Sequence, residues 1–267
     1  MDWVHALILG IVQGVTEYLP ISSSGHLILL PYLLHWPDQG LDFDVAVNTG
    51  SLCALMFYFR KDLTRLFLAF LATFRANGWE NNFDGRMAWW IGIGTIPVGL
   101  AGLTFKHYVE TVARSPLVVG STAIIFGLLL LYADRAGRRE RPLKELRGRD
   151  AIIIGCAQAL ALIPGTSRSG ITITAGLLRH LDGESAARFS FLLSVPASFL
   201  AALLEIVKWS HETHPAGTWL PMGVGFVAAA ITSIAVIHGL LLWIRNRSLA
   251  GFGIYRILLG IFLFSFL

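Results

Sequence analysis

Six near-continuous apolar runs, 43–59, 87–105, 115–133, 186–204, 220–244 and 251–267, mark the chain. Each approaches the roughly 20 residues that a membrane-spanning helix needs. Two further segments, 3–35 and 151–180, hold apolar helical stretches interrupted by a polar break. In the first, VHALILGIVQGVTEYL reads as helix up to Pro20, because the residue before a proline is driven out of the helical region; HLILLPYLL then restarts a helix. In the second, AIIIGCAQALALI stops at Pro164 and ITITAGLLRHL restarts after GTSRSG. The pattern predicts an all-α polytopic membrane protein of six transmembrane helices plus two re-entrant helical hairpins. No polar run is long enough for a soluble domain, so residues 1–267 read as one integral membrane domain.

Composition agrees: 55% of residues are hydrophobic and 14% charged, against about 25% charged in soluble proteins. The net charge of +4 does not mean nucleic acid, because its distribution is topological. Arg60, Lys61, Arg65, Arg75 and Arg86 share one connection, and Arg135, Arg138, Arg139, Arg141, Lys144, Arg147 and Arg149 another. Arg179 with Arg188, and Arg245 with Arg247, fall in two more, while the intervening connections hold Lys106, Arg114 and Lys208. The sixteen residues of the first set mark the cytoplasmic side. Both ends of segment 151–180 then lie on that side, so it enters and returns; the same count makes 3–35 re-entrant from the opposite face and both termini extracytoplasmic. MDWVHALILG has no basic residue ahead of its apolar stretch, so no cleaved signal peptide is expected. Cys53 and Cys156 read as small buried hydrophobes. His5, His35, His107, His180, His211 and His214 fall at membrane edges, Glu205 and Lys208 read as an end-of-span pair, and Arg256 as a snorkelling or packing residue.

The two breaks resemble each other. LPISSSG (19–25) and IPGTSRSG (163–170) share an apolar residue, proline, a hydroxyl-rich loop and glycine, and each follows a glutamine, Gln13 or Gln158. Gly25 and Gly170 stand 145 apart, and Ser51 and Ser198 147 apart. Three spans follow each hairpin, and an odd number inverts the second copy. Inverted repeats over about 1–133 and 151–267, joined by a basic linker 134–150, are expected, with broken helices meeting near the midplane.

Non-helical backbone at membrane depth persists where it is buried in protein or lines a wet cavity. Both restarted helices turn their N-termini to a break, which favours anions, phosphate above all. Ser22, Ser23, Ser24, Thr166, Ser167 and Ser169 add hydroxyls, and Arg168 adds a planar fork of donors suited to phosphate oxygens. Two such termini suit a diphosphate. Glu17, with Gln13 one turn earlier, is an intramembrane carboxylate and a functional candidate by default; it holds a divalent cation such as Mg²⁺ with substrate phosphates, handles protons, or forms a structural ion pair with Arg168. His26 stands at the mouth of the second helix, where it can carry a proton or attack phosphorus.

QGVTEYLPISSSGH and PGTSRSG resemble the signatures of the undecaprenyl-diphosphate phosphatase family, also called the bacitracin-resistance family, and the resemblance runs the length of the chain. It implies hydrolysis of undecaprenyl diphosphate to the monophosphate, which recycles the lipid carrier for peptidoglycan and other envelope polymers. It also implies residence in the bacterial inner membrane, an active site open to the extracytoplasmic side, dependence on a divalent cation (Mg²⁺ or Ca²⁺), and bacitracin resistance when abundant. The family's motif residues map to Gln13 and Glu17 as cation ligands, to Ser22, Ser23 and His26, and to Ser167, Arg168 and Ser169; many members carry Glu where this chain has Gln13. Glu17, Ser23, His26 and Arg168 are the expected catalytic set, and Ser22, Ser24, Thr166, Ser167 and Ser169 join Arg168 on the phosphates. Ser23, His26 and a metal-bound water are all candidate attackers; the reading favours Ser23 with His26 as its base. The expected partners are the lipid substrate, membrane lipids and, left open, a second copy of the chain. A phosphatidic-acid-phosphatase mechanism needs a histidine where this chain has Thr174, and is rejected. A prenyl-phosphate flippase using the same anion site is the competing reading.

Overall fold

The computed structural model describes residues 1–75, 82–111, 115–211 and 217–265, without the side chains of 106–111, 116 and 210. The placements expected for Lys106, His107, Arg114 and His214 therefore lie outside the described residues. Eleven α-helices are present among them: α1 Trp3–Tyr18, α2 Ser23–Leu34, α3 Gly40–Tyr58, α4 Arg60–Ala72, α5 Phe83–Thr111, α6 Pro116–Ala136, α7 Gly148–Ala159, α8 Arg168–Leu178, α9 Gly183–Ser210, α10 Trp219–Asn246 and α11 Ala250–Phe264. Four stretches are long and apolar enough to cross a membrane: Phe83–Phe105, Leu117–Ala136, Gly183–Trp209 and Trp219–Asn246. Large apolar side chains such as Leu100, Leu103, Ile231 and Leu258 face outward. This is a multi-pass helical membrane protein.

Local chemistry sets the two breaks. Asp2 caps α1 by accepting from the His5 amide, and α1 ends at Leu19, whose extended ψ of 144° is what the following Pro20 demands. α7 runs into a 3-10 turn, Leu160–Leu162, and stops at Ile163, extended ahead of Pro164. Each restart begins at a serine with positive φ, Ser22 at 76° and Ser167 at 66°. Such backbone costs a non-glycine residue of order 1–3 kcal/mol and persists where the surroundings over-determine it.

Packing follows a crossed scheme. α1 lies against α10 and α7 against α5; α3 lies against α10 and α9 against α5; α6 and α11 pair, as do α3 and α9. The first crossings are close because they are made by glycines, whose missing side chains let backbones meet in a medium that supplies little hydrophobic drive between helices. A Cβ on Gly10 would collide with the Gly225 carbonyl, and one on Gly155 with the Gly94 carbonyl.

The four basic connections gather at one end. Arg188 on α9 reaches Asp62 on α4 at 3.0 Å, and Arg245 on α10 reaches Glu184 at 2.7 Å. Asp134 at the end of α6 accepts from Arg139 and Ser248 and from the Leu249 amide. Asp150 accepts from Arg141 at 2.7 Å and Arg179 at 2.8 Å. Its burial favours the neutral acid, but these bonds and the Arg147 amide outweigh it and hold the carboxyl below its ordinary value.

Two expectations are corrected. The segment after Tyr58 is not a bare connection: α4 is amphipathic, burying Leu66 and exposing Phe67, Leu68 and Leu71 beside Arg60, Lys61 and Arg65, the composition of a helix lying in the membrane interface. Cys53 and Cys156 are not interior; both are exposed on the protein's outer surface. Burial habits learned from soluble proteins invert where the surroundings are as apolar as the core. The Glu205–Lys208 pair forms as expected, at 2.8 Å.

Candidate active site

The polar breaks bring residues of both hairpins onto one carboxylate. Glu17, on the last turn of α1, accepts from Arg168 Nη2 through Oε1 at 2.7 Å and from Ser23 Oγ through Oε2 at 2.6 Å. Gln13, one turn earlier, donates to the same Oε2 at 3.0 Å and to Asn48 Oδ1 at 2.8 Å. Arg168 Nη1 donates to Ser198 on α9. Glu17 and Arg168 stand 151 positions apart in the chain, so the pair exists only when the hairpins meet. The guanidinium removes the penalty that an isolated buried carboxylate would carry and leaves unused N–H donors beside the nucleophile candidate. Behind the pair lies a cavity of about 10 Å³ lined by Glu17, Arg168, Ser169, Ser190, Ser194 and Ser198, among others, room for about one water.

The hydroxyls divide by position. Ser23, at the start of α2, is bonded to the Glu17 carboxylate. Ser169 donates to the Leu19 carbonyl at 3.0 Å, tying the second loop to the first. Ser22 and Ser24 lie 3.2 Å apart through their oxygens, as do Ser167 and Ser169. Ser167 accepts from the Gly170 amide and so caps α8. Thr166 is fully buried, its hydroxyl without a hydrogen-bond partner. Several of these groups build the loops instead of lining a gap open to a ligand.

His26 does not touch Ser23. Its Nδ1 lies 2.7 Å from the Ser22 carbonyl and its Nε2 2.6 Å from the Tyr255 hydroxyl on α11. A carbonyl accepts, so Nδ1 carries the proton, and Tyr255 donates to Nε2 when the ring is neutral. The expected His26–Ser23 base pairing is therefore replaced here by Glu17–Ser23.

Arg256 does not snorkel. It is fully buried and donates through Nη2 to the carbonyls of Gly165 at 3.0 Å and Thr166 at 2.7 Å, clamping the loop that presents Arg168. Thr122 on α6 grips the same loop through the Pro164 carbonyl at 2.7 Å. Of these partners, Ser190, Ser194 and Ser198 had a readable signal, a serine every fourth residue along one face of a helix. Arg256 was visible as a charge in an apolar run, though its partners were not; Asn48 and Tyr255 had no such signal.

Among the described residues no group of three or more His, Cys, Asp or Glu is placed to hold a metal. Among the described residues there is therefore no cage of such ligands. The donors at hand are Glu17, a lone carboxylate whose oxygens here accept from Arg168, Ser23 and the Gln13 amide, and Gln13 Oε1, a buried oxygen with no hydrogen-bond partner among the described residues. One carboxylate and one neutral oxygen suit a hard cation completed by substrate phosphates and water.

The chain has relatives among known sequences. The family model described as bacitracin resistance protein BacA matches residues 6–262. A protein of Magnetococcus marinus named undecaprenyl-diphosphatase is 48% identical over 99% of both chains. Undecaprenyl-diphosphatase 2 of Stutzerimonas stutzeri is 48% identical, covering 97% of this chain and 96% of its own, and an undecaprenyl-diphosphatase of Nitrosococcus oceani is 46% identical over 99% and 98%. A match that spans both hairpins and everything between them covers the whole Glu17–Arg168 site, and the chain belongs to the BacA bacitracin resistance protein family.

Proposed function

We propose that this chain hydrolyses undecaprenyl diphosphate to undecaprenyl phosphate and inorganic phosphate, recycling the lipid carrier for peptidoglycan and related envelope polymers and conferring bacitracin resistance. The observation that carries the reading is the carboxylate of Glu17 held between a guanidinium and a serine hydroxyl at a break between two helices, in a family whose relatives are named for this reaction. Glu17 takes the Ser23 proton as Oγ attacks the terminal phosphorus. The bridging P–O bond breaks, and undecaprenyl phosphate leaves with the electron pair. Arg168 stabilises charge on the transferring oxygens, where preformed donors act most strongly. Water then attacks the phosphoseryl group and the Ser23 Oγ–P bond breaks; Glu17 returns its proton to Ser23 Oγ, and the water's protons leave on the inorganic phosphate. His26, steadied by the Ser22 carbonyl and Tyr255, moves protons at the leaving-group side. A divalent cation, Mg²⁺ or Ca²⁺, would be held by Glu17 and Gln13 and would supply charge neutralisation on the diphosphate. The test is whether the purified chain releases phosphate from undecaprenyl diphosphate; transfer of the intact lipid across a vesicle bilayer without release would indicate a flippase instead.

The architecture that this reading uses is an inverted repeat, about 1–133 and 151–267 around linker 134–150. The swapped packing supports it: α1 on α10 is matched by α7 on α5, and the α3–α9 and α6–α11 pairs map onto themselves. So does the recurrence of a positive-φ serine 145 residues on. In this layout α3, α5, α6, α9, α10 and α11 span, the two hairpins are re-entrant, and a homodimer is compatible. The basic end faces the cytoplasm of a bacterial inner membrane, and the site opens to the periplasm. With Cys53 and Cys156 replaced, a cysteine at His211 reacts with an impermeant thiol reagent added to cells with a permeabilised outer membrane, and one at Lys144 does not. The reverse labelling would overturn the orientation.

A further inference from the structure

An apolar groove of about 460 Å³ runs along the flank of the molecule, lined by Ile21, Trp243, Ser248, Gly251, Phe252 and Tyr255. That volume is within the roughly 300–1,000 Å³ typical of ligand sites. Its walls are apolar apart from Ser248, whose hydroxyl is spent on Asp134. Two features join it to the active site. Ile21 lies in the first loop, between Pro20 and Ser22. Tyr255, half-exposed in the groove, holds the His26 ring through its hydroxyl at 2.6 Å and stacks on it at 5.7 Å. From that junction the groove continues to Trp243 and Ser248, at the turn between α10 and α11 in the basic end. Trp243 is also half-exposed, so a chain can enter sideways from the bilayer.

We infer that this groove seats the polyprenyl chain of the substrate, and that the residues along it select for a long isoprenoid tail. The inference rests on the hydrolase reading and assigns the part of the substrate that the Glu17–Arg168 site does not touch. The occupant follows from continuity. A diphosphate at the hairpin breaks places the first carbons of its chain beside His26, and the apolar surface leading away from His26 is Tyr255 and then Phe252. A head held by polar loops and a tail laid along an apolar wall is the division of labour that an amphipathic lipid requires. Tyr255 belongs to both, so an occupied groove also fixes the catalytic histidine.

Gly251 gives the test, because it lines the groove and a Cβ added there meets nothing within 4 Å, so a substituted side chain starts into open space and not into protein. In lipid nanodiscs, Gly251→Leu is expected to raise KM for undecaprenyl diphosphate about tenfold, the order given by losing the burial of one or two methylenes, with kcat little changed. Farnesyl diphosphate, too short to run the groove's length, keeps its KM. Gly251→Ala gives the same split at smaller size. Equal effects on the two substrates, or none on either, would overturn the assignment; no effect would leave the groove to ordinary bilayer lipid. A diphosphate carrying a photoreactive group at its tail end gives a second reading that does not depend on a variant. It is expected to cross-link within 243–255, and labelling confined to another face would likewise reject the groove. If the wild-type chain hydrolyses neither diphosphate, the hydrolase reading fails, and cross-linking alone decides what the groove binds.

Discussion

Arg168→Ala is expected to lower phosphate release from undecaprenyl diphosphate by about a thousandfold, the upper range for removing one preorganised donor from a site where charge develops. Two effects add. The transferring phosphoryl oxygens lose their fork of donors, and Glu17 loses the cation that makes its charge tolerable at this depth. Arg168→Lys separates them. It restores a positive charge beside Glu17 but cannot donate to Ser198 and to a second acceptor in one plane, so about a hundredfold loss remains. Initial rates on monodisperse protein measure both. Near-normal turnover in Arg168→Ala would remove this residue from the site and leave its bond to Glu17 as a structural ion pair.

Ser23→Ala and Glu17→Gln carry the second large expected effect. Each is expected to remove nearly all activity, of order 10³-fold or more, and the double variant to be little worse than either, because nucleophile and base act as a unit. Glu17→Gln keeps the side chain's shape and a carbonyl for Arg168 while losing the basic oxygen that accepts from Ser23. His26→Ala is expected to cost less, about a hundredfold, the order of a general acid–base contribution, because its ring bonds to Ser22 and Tyr255 and not to the attacking hydroxyl. A Ser23→Ala variant that still turns over, or a phosphoryl group trapped on His26, would transfer the attack to histidine or water.

The parts of the site that the sequence made legible are those that break a pattern. Pro20 and Pro164 stop apolar helices, and both helices stop there. Glu17 and Arg168 are lone charges in apolar surroundings, and each turned out to be the other's partner. The matching loops 19–25 and 163–170 pointed to an inverted pair, and the positive-φ serines Ser22 and Ser167 occupy the same place in each. What stayed hidden depends on distance in the chain. Tyr255 reaches His26 across 229 residues and Arg256 reaches Gly165 across 91; neither contact leaves a local trace, because one polar residue in an apolar helix reads alike whether it snorkels or clamps a loop. The hydrogen-bond partner of Ser23 was hidden for the same reason. His26 is three residues away and Glu17 six, but Pro20 turns the chain back so that the carboxylate, not the ring, meets the hydroxyl. α4 was missed because its apolar residues alternate with Arg60, Lys61, Asp62 and Arg65 and so form no continuous apolar run.

In the proposed mechanism, groups from two opposed hairpins form one diphosphate-cleaving centre. Phosphate release by the purified chain in nanodiscs, wild type beside Glu17→Gln, tests it most directly. The wild type is expected to release one inorganic phosphate per undecaprenyl diphosphate consumed, with undecaprenyl phosphate as the lipid product, and Glu17→Gln to release phosphate near background. Consumption of no diphosphate by the wild type, or equal release by the two proteins, would contradict it.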